Sequence, residues 1–162
     1  LIVSRGLGDV YKRQLDRDIK YDNKILHQSK LVKYFGKENV SDKKIEKDLN
    51  NYLKKVKKSK TNYLITKDII LIESMVSDGI EIKDEYKDLF NSKENTIPTD
   101  IQILINDREI GMAVLRLIEI IGQDKIEDLG SETLYFLINA LNQMNIDPIR
   151  NEILYSVLPL RA

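Results

Sequence analysis

From Ser41 onward, apolar residues recur three and four positions apart in nearly every segment, the spacing of helices and not of strands. Ser41 is placed as the N-cap of a helix running to about Ser59, with Ile45, Leu49, Tyr52, Leu53 and Val56 on one face. Thr66 caps a second helix through Ser77, with Ile69, Ile70, Ile72, Glu73 and Val76 in helical order and Gly79 as the left-handed stop. A short helix is expected near Lys83–Phe90, followed by a polar loop over Asn91–Thr96. Thr99 after Pro98 starts another helix, with Ile101, Leu104 and Ile105 inward. Asp107 caps the next, where Ile110, Val114, Leu117, Ile118 and Ile121 share a face and Gly122 closes the run. Because Ile110–Ile121 is apolar on nearly all sides, it reads as a core helix.

Two further helices complete the pattern. Ser131 begins one that buries Leu134, Leu137, Ile138 and Leu141, with Glu132 well placed against its dipole. Asp147-Pro148 reads as a capping carboxylate followed by Pro at the first helical position. The closing helix then offers Ile149, Ile153, Leu154 and Val157 before Pro159 ends it. Upstream, Lys24–Phe35 gives a weaker helix signal, with Ile25, Leu26, Val32 and Phe35 stopped at Gly36. The only short alternations, Ile80–Ile82 and Ile101–Ile105, sit beside stronger helix signals. One local pattern recurs as LIESMVSDGI (71–80), LIEIIGQDKI (117–126) and LINALNQMNI (137–146). Each is the end of a helix whose closing Ile packs back on the last turn. No single period fits the copies and none of the signature residues of tetratricopeptide, ankyrin or HEAT repeats appears, so the pattern supports stacked antiparallel helix pairs and not those arrays.

The expected fold is therefore all-α, an irregular stack of antiparallel helical hairpins like a short α-solenoid or its C-terminal cap. Its segments are a non-native leader at 1–14, a weakly ordered or helical lead-in at 15–40, and a Lys-rich helical segment at 41–96. A C-terminal helical segment at 97–162 packs with the third as one domain. Leu1–Gln14, LIVSRGLGDVYKRQ, resembles a string produced when sequencing-adapter sequence is translated at the edge of metagenomic reading frames. Residues 97–162 resemble the C-terminal helical tail of larger uncharacterised bacterial proteins, in the order of their helices and the spacing of their Leu residues. These resemblances imply a piece of a longer bacterial protein and carry no catalytic motif with them.

Charge changes the picture next. The chain is neutral overall, yet residues 1–96 carry 21 basic and 16 acidic side chains and residues 97–162 carry 5 and 10. Most of the basic excess lies on the helix Ser41–Lys60, whose eight Lys face three acids. Lys43, Lys47, Lys54, Lys55 and Lys58 are the candidate anion-binding residues, neutralising phosphates if the helix meets a nucleic acid or another anionic surface. The absence of Arg there argues against base reading, and a solvated structural face explains the same residues.

The chemistry of sites adds little. No Cys is present, so disulfides, thiolate catalysis and Cys zinc sites are excluded. The single His, His27, has no evident partner in sequence and reads as a surface or packing residue. Carboxylate pairs such as Asp107 with Glu109 and Glu127 with Asp128 are explained by capping and turns. Gly6 and Gly8 lack the third glycine and the flanking strand and helix of a dinucleotide loop. Of the adjacent Tyr135 and Phe136, one is expected in the core. No catalytic, cofactor or metal residues are assigned. No apolar run reaches the length of a membrane span. Cytoplasm and periplasm fit equally. The expected role is a non-catalytic scaffold or protein-interaction segment with an unidentified protein partner. The alternatives are anion binding through the Lys helix and a helical appendage of an enzyme whose active site lies upstream. An interaction role predicts a sizeable exposed apolar patch.

Overall fold

The computed structural model describes residues 19–36, 40–59, 63–90 and 97–161. Leu1–Gln14, Lys60 and the loop expected over Asn91–Thr96 lie outside the described residues. The fold is all-α. Among the described residues the helices are, in chain order, α1 (Asp42–Lys58), α2 (Thr66–Ser77), α3 (Asp84–Lys87), α4 (Thr99–Asn106), α5 (Ile110–Ile121), α6 (Ser131–Gln143) and α7 (Asp147–Val157). Three short 3-10 turns, Leu26–Gln28, Lys30–Tyr34 and Ile126–Asp128, accompany them. Two-residue strands β1 (Ile19–Lys20) and β2 (Leu160–Arg161) pair antiparallel, Ile19 opposite Arg161. A pair so short leaves no alternation for sequence to show.

The lead-in Lys24–Phe35 is thus not one α-helix but two 3-10 turns split at Ser29. The Ser29 hydroxyl donates to the Leu26 carbonyl and accepts from the Leu31 amide, ending one turn and capping the next. Leu26, Leu31, Val32 and Phe35 nevertheless enter the core.

The centre of that core is α2. Ile69, Ile70, Leu71, Ile72, Ser74 and Met75 are all buried, and α2 packs most extensively on α6, which buries Leu134, Tyr135, Leu137, Ile138 and Leu141. Helices consecutive in sequence pack together at α4–α5 and α6–α7, but this dominant contact joins elements remote in the chain. Of the aromatic pair, Tyr135 is buried with its hydroxyl donating to Glu73 Oε1 at 3.2 Å, while Phe136 is half-buried against the core.

Helix ends depart from the expected caps. Ser41 holds the N-cap position of α1 but makes no side-chain capping bond. Thr66 is the first helical residue of α2; the Asp68 carboxylate, one turn in, accepts from the Ile65 amide instead. Asp107 closes α4 and does not cap α5; Arg108 follows it in the left-handed region at φ 62°. Asp147 is itself helical, with Ile146 at the cap position. At the C-termini the recurrent ending has a physical basis. The amides of Ile80 and Ile146 reach back to the carbonyls of Met75 and Leu141, past left-handed Gly79 and Asn145. The copy at 117–126 turns differently, at Gly122, and Ile126 opens a 3-10 turn.

Among the described residues one charged side chain is wholly inside. Arg150 on α7 has no exposed surface. Its Nη2 donates to both carboxylate oxygens of Asp78 at 2.8 Å, and Nη1 donates to Asn142 Oδ1 at 3.0 Å. Nε and Nη2 share Asn151 Oδ1, and the guanidinium lies 6.0 Å from the Phe35 ring centroid. Tyr34 bonds to the same Asp78, and burial together with that negative charge pushes its hydroxyl pKa up to about 12. The end of α2, α6, α7 and the lead-in are thereby tied at one point.

Candidate interaction surfaces

Ile110–Ile121 was expected in the core, and the structure corrects this. Among its side chains only Ala113 and Leu117 are buried, with Ile110, Val114 and Ile121 half-buried beside them. Ile118, placed inward by its spacing, is 57% exposed, and Met112 and Leu115 are 53% and 56% exposed. Ile120 and, on α4, Ile103 are exposed as well. The reason is tertiary: among the described residues α5 packs chiefly on α4, so one narrow stripe satisfies its main contact. Met112, Leu115 and Ile118 follow at intervals of three, a ridge on the side away from Ala113 and Leu117. Along its polar edge, Arg116 bonds Asp100 of α4 at 2.8 Å and Glu119 at 2.7 Å, holding the Asp100 carboxyl below its usual range. The hairpin is held in place while its apolar ridge stays open.

The Lys-rich helix lies elsewhere. Ile45, Leu49, Leu53 and Val56 bury one face of α1 as the pattern required, and Tyr52 is fixed by accepting from the Leu26 amide and donating to the Lys24 carbonyl. Asn50 anchors the opposite edge: Nδ2 donates to the Glu81 carbonyl, and Oδ1 accepts from the Lys83 amide. Lys43, Lys47, Lys54, Lys55 and Lys58 are all exposed. Helical period divides them. Lys43, Lys47, Lys54 and Lys58 form an outer ridge, whereas Lys55 turns to a flank shared with Lys44. That flank, with Lys30 and Lys33 from the 3-10 turn opposite, lines a groove of about 500 Å³. Lys30 and Lys33 were not singled out in sequence, because nothing local to them predicts that their turn faces α1.

His27 has a partner after all. Its Nδ1 lies 2.7 Å from Asp68 Oδ1, which also accepts from the His27 amide at 2.9 Å. Both residues are buried. With the Ile65 amide on its other oxygen, Asp68 receives three N–H groups and clamps the lead-in to the start of α2. This is a packing role, joined across a sequence gap that no spacing motif signals. Glu127 and Asp128 lie exposed in a 3-10 turn, and no group of three His, Cys, Asp or Glu suited to a metal ion occurs among the described residues. No helix among them is long and apolar enough to cross a membrane. No protein-family model matches the chain, and neither a curated protein nor a solved structure is significantly similar to it.

Proposed function

We propose that this chain is a helical protein-interaction segment that docks on a partner protein through the outward face of α5. The observation that supports this reading is the more than half-exposed ridge of Met112, Leu115 and Ile118 on an otherwise apolar helix. Single exposed apolar residues are ordinary, but a contiguous set on one helix is characteristic of association surfaces. Side chains three apart on one helix face are the pattern with which a helix enters an apolar groove of another protein.

The scale is consistent with a modest interaction. At roughly 100 Å² of exposed surface per ridge residue, three residues offer about 300 Å² and about 8 kcal/mol of gross burial. Association costs of about 4–15 kcal/mol consume most of that, so the rim must contribute and binding is reversible. Arg116 and Glu119 supply such a rim.

The test is site-specific cross-linking in the source cells. A photoreactive phenylalanine analogue replacing Leu115 gives a discrete adduct, which Met112→Asp with Ile118→Asp abolishes. An adduct of twice the protomer mass identifies a second copy as the partner; a heavier or lighter one identifies another protein. Absence of an adduct, or the same adducts from the analogue placed at Lys54, overturns the reading.

A further inference from the structure

Gly111 is the one residue of α5 without a side chain, and the packing of the described residues does not require it. It is exposed in the first turn, its φ is not left-handed, and an added Cβ meets nothing within 4 Å. Glycine inside a helix costs stability relative to alanine, so a bare position here suits a close approach from outside the chain. It lies on the open ridge. At about 100° per residue, Gly111 stands about 40° around the helix from Leu115 and Ile118 about 60°, both on the same side. Met112 and Glu119 take the other side of Leu115. We propose that the partner of the ridge is a second copy of this chain, with the two α5 helices antiparallel across a two-fold axis at Leu115. This deepens the docking reading of α5 and rests on it.

Under that symmetry the ridge is its own complement. An antiparallel two-fold keeps each side of the seam facing its own mate. Along the axis Gly111 lies about 6 Å before Leu115 and Ile118 about 4.5 Å after it. Ile118 of each copy therefore seats over Gly111 of the other, while Leu115 meets Leu115 on the axis. On the other side Met112 runs along the methylenes of Glu119 of the second copy. Knob and hollow both come from one helix, at the spacing that the two-fold closes. Charge points the same way. Arg116 and Glu119 are the only charged residues of α5, and they are bonded to each other at 2.7 Å. Two such faces meet without net repulsion, whereas a strongly acidic or basic partner finds little uncompensated counter-charge on this helix. The antiparallel arrangement also opposes the two helix dipoles. Two ridges bring together about 600 Å², below the roughly 1,200 Å² at which standard interfaces begin, so the dimer is weak and reversible.

The experiment is sedimentation equilibrium of the purified full chain over a concentration series reaching about 0.5 mM, the range in which so small an interface is populated. The mass rises from that of one protomer toward twice that value. Gly111→Leu separates this arrangement from unspecific apolar contact. It adds apolar surface to the ridge yet fills the hollow that Ile118 needs, and it weakens the dimer at least tenfold. Because the position faces open space, its unfolding midpoint by circular dichroism does not fall. The chain has no Cys, so Leu115→Cys under mild oxidation gives a disulfide-linked dimer, and Lys54→Cys on α1 gives less than about a tenth as much. A protomer mass at every concentration overturns the proposal. So does unchanged or tighter association of Gly111→Leu, or equal disulfide yield from the two Cys variants. Each of these failures leaves docking on another protein in place, which the adduct at Leu115 in cells reports by its different mass. Absence of any adduct there removes the docking reading and this one with it.

Discussion

Replacing Arg150 with Met keeps an unbranched, somewhat shorter side chain and removes its charge and donors. The loss falls on groups that remain. Asp78, whose side chain is 15% exposed, keeps the Tyr34 hydroxyl but loses its cation, and Asn142 Oδ1 loses its donor. Breaking a buried pair on one side costs about 3–5 kcal/mol, because the surviving charge stays desolvated and unpaired. The partial exposure of Asp78 places the expected value near the lower end, about 3 kcal/mol. For a chain of this size that corresponds to a fall in melting temperature of roughly 6–12 °C. Equilibrium urea unfolding followed by circular dichroism reads it as a lower midpoint with an unchanged slope. The cycle completed by Asp78→Asn and the double variant should show coupling above about 1 kcal/mol, since neither partner is left stranded when both change. A loss below about 1 kcal/mol for Arg150→Met, or strict additivity in the cycle, refutes the view that this cluster ties the helices together.

Three further outcomes follow from the geometry. Asp68→Asn, which presents an amide NH₂ where a carboxylate now receives three N–H groups, should destabilise the fold by about 2 kcal/mol in the same urea assay. Gly111→Ala should stabilise it by about 0.5–1 kcal/mol, because the position is helical with a negative φ and an added Cβ meets nothing within 4 Å. Tyr34 and Tyr135 have hydroxyl pKa values raised to about 12, chiefly by burial and then by Asp78 and Glu73 respectively. Their unfolded value is near 10, so their contribution is complete below pH 10 and is lost as pH rises through 12. Unfolding midpoints compared across that window should fall less steeply in the Tyr34→Phe, Tyr135→Phe double variant than in the parent chain.

Helical periodicity by itself determined the class of the fold and the inward faces of α1, α4 and α6, because apolar spacing reports directly on which side of a helix leaves water. It also determined where helices stop, since Gly79 and Gly122 adopt positive φ at little cost. What it did not determine was which helix the others surround. The spacing of Ile110–Ile121 promised a core helix, but burial depends on how many neighbours pack around an element, and α5 is held chiefly by α4. By the same logic α2, with a less ordered pattern, is central, and Ile149 and Val76 stay exposed on faces no neighbour covers. Surface features depend on that arrangement as well: the α5 ridge is open because no other described element packs on it extensively, and Lys30 and Lys33 join Lys44 and Lys55 only once the 3-10 turn docks against α1. The buried polar partners are tertiary as well. Arg150 with Asp78 and His27 with Asp68 meet across long stretches of chain, and a charge or a ring nitrogen carries no mark in sequence of the group that will face it. Local periodicity encodes the affinity of each face for water; only the folded chain decides which faces find one another.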